Sequence, residues 1–230
     1  MDNIYLRDNI IYSKGYSSET YNLTKVFLSK HKDVESFLDI GCGDGVLLKL
    51  INKNIDYIGV DADVGIKKKK KHNKIKYFKN ASKTEKYLIN LKKKYDCVAL
   101  MNVLEHTDSF LNLFNIALEK SKKYVLVALP NEDNIISRFR FLFGKGILTH
   151  GLDMINKKPG HKHQWLIQYD PALKLLKKNS KKYKFDLLST LLFIQYPKSF
   201  IKRQIYKFLM LFVPKKTQMQ CFCLVFNKNI

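Results

Sequence analysis

The stretch "FLDIGCGDG" (37–45) ends an apolar run on Gly41, Gly43 and Gly45, with Asp39 before them and Asp44 among them. Glycines at that spacing let a backbone turn sharply and approach a ligand with no Cβ in the way. Asp61 ends the next apolar run, "YIGVD" (57–61), where a carboxylate can accept hydrogen bonds from both hydroxyls of a ribose. Three histidines stand where a proton could be taken from an acceptor: His106 in "LEHT", and His161 and His163 in "PGHKHQW". Histidine is the side chain whose ordinary pKa suits that work near neutral pH.

Residues so far apart need a scaffold that gathers them. The runs "SFLDIG" (36–41), "YIGVD", "IKYFKN" (75–80), "YDCVALM" (95–101) and "YVLVALP" (124–130) read as strands, separated by helix-length segments. "YDCVALM" is continuously apolar, as strands buried on both faces are. Thr84–Lys94 and a segment from Thr107 or Asp108, carrying Phe110, Leu111, Phe114, Ala117 and Leu118, read as helices. Ser17 or Ser18 caps an earlier helix, and Asp170-Pro171 starts a later one. "FDLLSTLLFI" (185–194) and "CFCLVF" (221–226) read as closing strands. Alternation of this kind predicts α/β architecture, a Rossmann-like doubly wound sheet with helices on both faces. In such a sheet ligands bind at the carboxyl ends of the strands, where the glycine turn, Asp61 and His106 all fall. The expected organisation is one domain over 1–230. A helical cap (1–35) precedes the cofactor-binding half (36–132), and an acceptor-binding insertion with closing strands (133–230) follows.

The turn is GxGxG, not the GxGxxG of dinucleotide sites, and Asp39 and Asp44 would repel a pyrophosphate. Acids there suit a cationic ligand. A ligand that joins a ribose to positive charge is S-adenosylmethionine. "FLDIGCGDG", "GVDAD", "YDCVALMNVLEHT" and "VLVALPNE", in that order, resemble the class I S-adenosylmethionine-dependent methyltransferases, in the subgroup with "LEH" after strand four. The resemblance implies a seven-stranded sheet, mostly parallel, with its last strand antiparallel. It implies that Asp39, Gly41, Cys42 and Gly43 line the methionine part of the cofactor, that Asp61 holds the ribose, and that Ala62 lies against the adenine. Asn80 and Ala81 stand where family members often carry an acid that reads the adenine amino group. Met101 and Asn102 would face the methionine end and the substrate. S-adenosyl-L-homocysteine is then the product, and no metal is expected.

Composition narrows the acceptor. The chain has 230 residues, 46% of them hydrophobic, enough for one full core, and a net charge of +22. The basic residues are mostly lysine, with Arg7, Arg138, Arg140 and Arg203 as the arginines, whereas reading bases favours arginine. "MNVL" follows strand four in place of the Asn/Asp-Pro-Pro-aromatic turn of base-amine methylation, and no Pro-Cys occurs. Nucleic acid is therefore disfavoured, and a small molecule or glycan methylated at oxygen is expected. The alternatives are a catalytically silent binding module, or a nucleic-acid methyltransferase that uses the basic surface. The lysine run 67–71 reads as a solvated face, and Trp165 as core packing. In "SFIKRQIYKFLMLFV" (199–213), Ile201, Ile205, Phe208, Leu209 and Phe212 share a helical face opposite Lys202, Arg203 and Lys207. That face either packs on the sheet or meets an anionic membrane surface. The four cysteines form no CxxC, and the amino terminus lacks an apolar signal core, so a cytoplasmic protein is expected.

Overall fold

A computed structural model describes residues 5–7, 10–14, 20–62, 73–147, 149–150, 162–197 and 199–229. His161 and the lysine run 67–71 lie outside the described residues. The strands are β1 (Tyr5–Arg7), β2 (Ile10–Lys14), β3 (Ser36–Ile40), β4 (Asp56–Ala62), β5 (Ile75–Phe78), β6 (Tyr95–Met101), β7 (Ser121–Pro130), β8 (Phe185–Tyr196) and β9 (Cys221–Lys228). They form one sheet in the order β1-β2-β8-β9-β7-β6-β3-β4-β5. Strands β3 to β9 are the expected seven, parallel except for β9, which runs antiparallel to both β7 and β8. The reversal of strand order between β3 and β6 opens a crevice at their carboxyl ends. The hairpin β1–β2 was not anticipated. It extends the edge by pairing Ile10–Lys14 parallel to Leu192–Tyr196, and its only sequence signal is the Asp8-Asn9 spacer between two short apolar runs.

The helices are α1 (Thr20–Lys30), α2 (Val46–Leu50), α3 (Ala81–Asn90), α4 (Phe110–Lys120), α5 (Ile135–Leu142), α6 (Tyr169–Ser180), α7 (Phe200–Leu209) and α8 (Lys215–Gln218). β3 and β6 are buried along their whole length because both faces of the sheet are covered. Leu38, Val98, Leu100 and Phe226 face Phe114, Ala117 and Leu176 from α4 and α6. Phe37, Tyr57, Cys97 and Leu126 face Leu23, Phe27 and Leu47 from α1 and α2. Helix α6 begins one residue before Asp170-Pro171, with Gln168 at its N-cap. Asp170 instead meets Lys216 at 2.7 Å. Neither α5 nor α7 buries a single residue, so the apolar face of α7 is not packed on the sheet. Among the described residues, no helix is long and apolar enough to cross a membrane.

Candidate functional site at the carboxyl edge of the sheet

The glycine turn is a left-handed stretch, with φ of 75° at Gly41, 56° at Gly43 and 78° at Gly45. The N–H groups of Gly41 and Cys42 donate to the Val60 carbonyl, which stitches the turn to the end of β4. The Gly43 N–H donates to Asp61 Oδ2 at 2.7 Å, and the Tyr77 hydroxyl donates to the Gly43 carbonyl at 3.0 Å. A side chain at Gly41 would drive its Cβ to 2.3 Å from Val103 Cγ2, whereas a Cβ at Gly43 would have nothing within 4 Å among the described residues. The turn thus presents an open cradle at Gly43 and a closed contact at Gly41.

Beside the turn lies a cavity of ≈ 260 Å³, with Gly41, Asp61, Ala62, Ala81, Asn102 and His106 in its wall. Asn102 closes β6 with φ 57°, a conformation that asparagine tolerates better than most residues. Its amide donates to Thr20 Oγ1 on α1 at 3.0 Å. Cys42 and Gly43 belong to the adjoining turn and are not in the cavity wall.

Three of the expected residues have partners within the protein. Met101 is buried against α1, where Thr24 Oγ1 meets its sulfur at 3.6 Å. Asn80 caps α3 by accepting from the Lys83 N–H at 3.0 Å, so its side-chain oxygen is already engaged. Asp39 is buried beneath the turn on the α1–α2 face, because alternation along β3 points it away from Ile40 and the cavity. Its Oδ2 accepts from the Tyr57 hydroxyl at 2.7 Å, while Oδ1 has no partner among the described residues. Burial, joined by the charge of Asp61 and only partly offset by Tyr57, pushes the Asp39 carboxyl up to about 7. The folded state therefore keeps a proton that the unfolded chain gives up near the ordinary value of 3.8. Stability falls as pH rises between those values, by about 4 kcal/mol in total. Asp39→Asn, which keeps an acceptor for Tyr57, is expected to melt above the parent at pH 8 and beside it at pH 4. Thermal unfolding at the two pH values checks this.

The second half of the site is a cluster of acids and imidazoles. Glu105 and His106 share the 3-10 turn Leu104–His106 directly after β6. His106 Nδ1 lies 3.1 Å from the Lys162 carbonyl. A carbonyl only accepts, so Nδ1 carries a hydrogen, and Nε2 stands 4.0 Å from Glu105 Oε1. Behind His106, with ring centroids 4.7 Å apart and planes nearly perpendicular, stands His163. Its Nδ1 meets Glu132 Oε1 at 2.8 Å. Glu132 also accepts from Thr149 Oγ1 (2.5 Å), His150 Nε2 (2.9 Å) and the Ile167 N–H (2.9 Å). Burial alone would raise the Glu132 carboxyl, but the bonds from His163, Thr149, Ile167 and His150 outweigh it and hold it at about 2. A carboxylate at neutral pH, it fixes the tautomer of His163.

Glu105 is the opposite case. It is almost wholly buried and its Oε2 has no partner among the described residues. Burial, with the charge of Glu132 adding to it, pushes its carboxyl up to about 8. Glu105, His106 and His163 each bring a ligand-type atom within 4.8 Å of the others. Glu132 and His150 were not anticipated as members of the site. Position alone could have pointed to Glu132, an acid just past the carboxyl end of β7. Trp165 is not core: it is about half exposed, and its Nε1–H donates to the Thr107 carbonyl at 2.8 Å. It lines a separate, apolar cavity of ≈ 480 Å³ with Phe110, Leu166 and Leu175.

A family model described as "Methyltransferase domain" matches residues 17–172. A comparison with curated proteins finds no match. Among solved structures, the chain resembles a SAM dependent methyltransferase from Archaeoglobus fulgidus, at 20% identity and a TM-score of 0.59 over 90% of this chain and 94% of that one. It also resembles the methyltransferase domain of bacterial CtHen1, at 17% identity and TM-score 0.57, covering 92% and 99% of the two chains. A third is the plantazolicin methyltransferase BamL in complex with a triazolic desmethylPZN analog and SAH, at 15% identity and TM-score 0.57, covering 93% and 86%.

Proposed function

The chain belongs to the methyltransferase-domain family and is an S-adenosylmethionine-dependent enzyme, and from that premise we propose that it methylates an oxygen atom of a small-molecule, sugar or glycan acceptor. The observation that carries the reading is His106, a histidine in the wall of the cavity that Gly41 and Asp61 also line. When bound, the cofactor supplies an electrophilic methyl group on a sulfonium. The chain's own residues fit it. Gly43 leaves room for a close approach, Asp61 offers a carboxylate for the ribose, and Ala62 and Ala81 give a small apolar surface for a flat ring.

His106 takes the proton of the acceptor hydroxyl on Nε2, while the bond from Nδ1 to the Lys162 carbonyl holds the ring in place. His163, oriented by Glu132, backs the His106 ring and fixes its plane. Contact with an anionic membrane belongs to the same reading, carried by Lys202, Arg203 and Lys207 around the apolar residues of α7.

Calorimetry with S-adenosylhomocysteine tests the cofactor half. Loss of a carboxylate that accepts charge-assisted hydrogen bonds costs about 1.5–3 kcal/mol, so Asp61→Ala is expected to weaken binding by about tenfold or more. Unchanged affinity would remove Asp61 from the ribose. Turnover against a panel of hydroxylated small molecules and glycans, followed by formation of S-adenosylhomocysteine, tests the acceptor half.

A second reading is that Glu105, His106 and His163 hold a divalent cation. It is favoured by the buried Glu105 oxygen without a partner among the described residues, and by the bonds of both imidazoles through Nδ1 to Lys162 and Glu132, the usual setting of ligating histidines. Turnover after treatment with a chelator separates the two. Loss that added Mg²⁺ or Mn²⁺ restores supports the cation, and indifference supports the base.

A further inference from the structure

We propose that α5 and α7 together form a platform that seats the enzyme on an anionic phospholipid bilayer, with the carboxyl edge of the sheet turned toward the headgroups. The inference deepens the proposed membrane contact by adding a second helix and an orientation. On α7 and the turn after it, Ile201, Phe208 and Phe212 are 69%, 63% and 80% exposed. On α5 and just beyond, Phe139, Phe141 and Phe143 are 54%, 73% and 74% exposed. Single exposed apolar residues are ordinary, but two helices with no buried residue and aromatic side chains in the open are not.

Topology puts both helices on one side. α5 leaves the carboxyl end of β7 and α7 leaves that of β8, and both strands run opposite to β9 and therefore parallel to each other. That is the edge where Gly41, Asp61 and His106 stand. The two segments are tied there. Asn131, at the end of β7, donates to the Lys216 and Met219 carbonyls, and Gln218 donates to the Met210 and Val213 carbonyls. α5 packs against α8.

Charge selects the occupant. Arg140, Lys145, Lys202, Arg203, Lys207 and Lys215 interleave with the aromatic residues, and the chain carries no acidic residue after Asp186. Arg138 pairs with Asp133 at 2.8 Å. A second copy of a chain of net charge +22 would meet this face with like charge, whereas an anionic bilayer accepts both the rings and the cations.

The test is co-sedimentation of the full chain with vesicles of phosphatidylcholine alone, or of equal parts phosphatidylcholine and phosphatidylglycerol, at low and moderate salt. Binding to the anionic vesicles only, weakened by salt, is expected. Lys202→Glu with Arg203→Glu is expected to weaken it by about tenfold or more. Phe141→Ser with Phe143→Ser, on the other helix, is expected to weaken it as strongly as Phe208→Ser with Phe212→Ser. All three double variants should bind S-adenosylhomocysteine as the parent does, which separates failure of this platform from failure of the cofactor site. Equal binding to both vesicle types, binding to neither, or full binding by the Phe141/Phe143 variant would overturn the proposal. So would a concentration-dependent dimer in sedimentation velocity that either phenylalanine variant dissolves.

Discussion

Replacing His106 by alanine is expected to lower kcat by about 10²–10⁴-fold, the range that a positioned general base contributes, with affinity for S-adenosylhomocysteine held within about twofold. The split follows from geometry. His106 stands in the cavity wall, but the turn and Asp61, which meet the cofactor in this reading, are stitched to β4 without it. The acid limb of the rate profile supplies a second readout. An imidazole that must accept a proton is lost as pH falls, so the parent should slow on the acid side and the variant should not. Glu132→Gln is expected to act more gently, by about tenfold, because an amide oxygen in the place of Oε1 still accepts from His163 and Thr149 while its NH₂, in the place of Oε2, faces the Ile167 N–H as a second donor. Glu132 is a positioning residue, so its variant should keep the acid limb. Full activity and an unchanged profile in His106→Ala would leave placement of the acceptor as the whole of the chemistry.

The parts of this site that the sequence disclosed are those built from neighbours in the chain. Gly41, Gly43 and Gly45 announce a left-handed turn by composition alone, and the runs that became β3, β4, β6 and β7 are apolar enough to be read without a partner. The burial of Asp39 beneath the turn is not a property of the motif as a unit. Alternation along β3 already sends Asp39 to the same face as Phe37 and away from Ile40. Asn80 stands just before a helix, where capping α3 competes with ligand binding for the same side-chain oxygen. Glu132 was hidden for a different reason. Its donors come from Thr149, His150, His163 and Ile167, and no spacing rule says that a loop returns to an acid more than a dozen residues back.

Surface exposure was the least legible property. The pattern of α7 is that of any amphipathic helix, and only the sheet order reveals that its apolar face is left outside. The hairpin β1–β2 occupies the edge beside β8, which a seven-stranded sheet would have left open. An unpaired edge strand invites association with other chains, so this pairing supplies its own reason.

Gly41→Val is expected to abolish cofactor binding, with affinity for S-adenosylhomocysteine lost by about 100-fold or more, and to lower the melting temperature as well. A β-branched residue at φ 75° carries a left-handed penalty of about 1–2 kcal/mol. Its Cβ would also sit 2.3 Å from Val103 Cγ2, far inside contact distance, so the turn or the 3-10 segment must move. Either movement strains the Gly41 N–H bond to the Val60 carbonyl and, two residues on, the Gly43 bond to Asp61. Loss of binding there reports distortion and by itself says nothing about contact with the ligand. Gly43→Ala separates the two. At Gly43 the new methyl would meet no atom of the described residues within 4 Å, so the fold should lose only the left-handed penalty. If the cradle is where the cofactor lies, affinity should nonetheless fall by about tenfold or more, because the methyl enters the ligand's own space. Calorimetry and thermal melting on the pair decide it. A Gly43→Ala protein that melts slightly early and binds S-adenosylhomocysteine like the parent would move the cofactor off this turn.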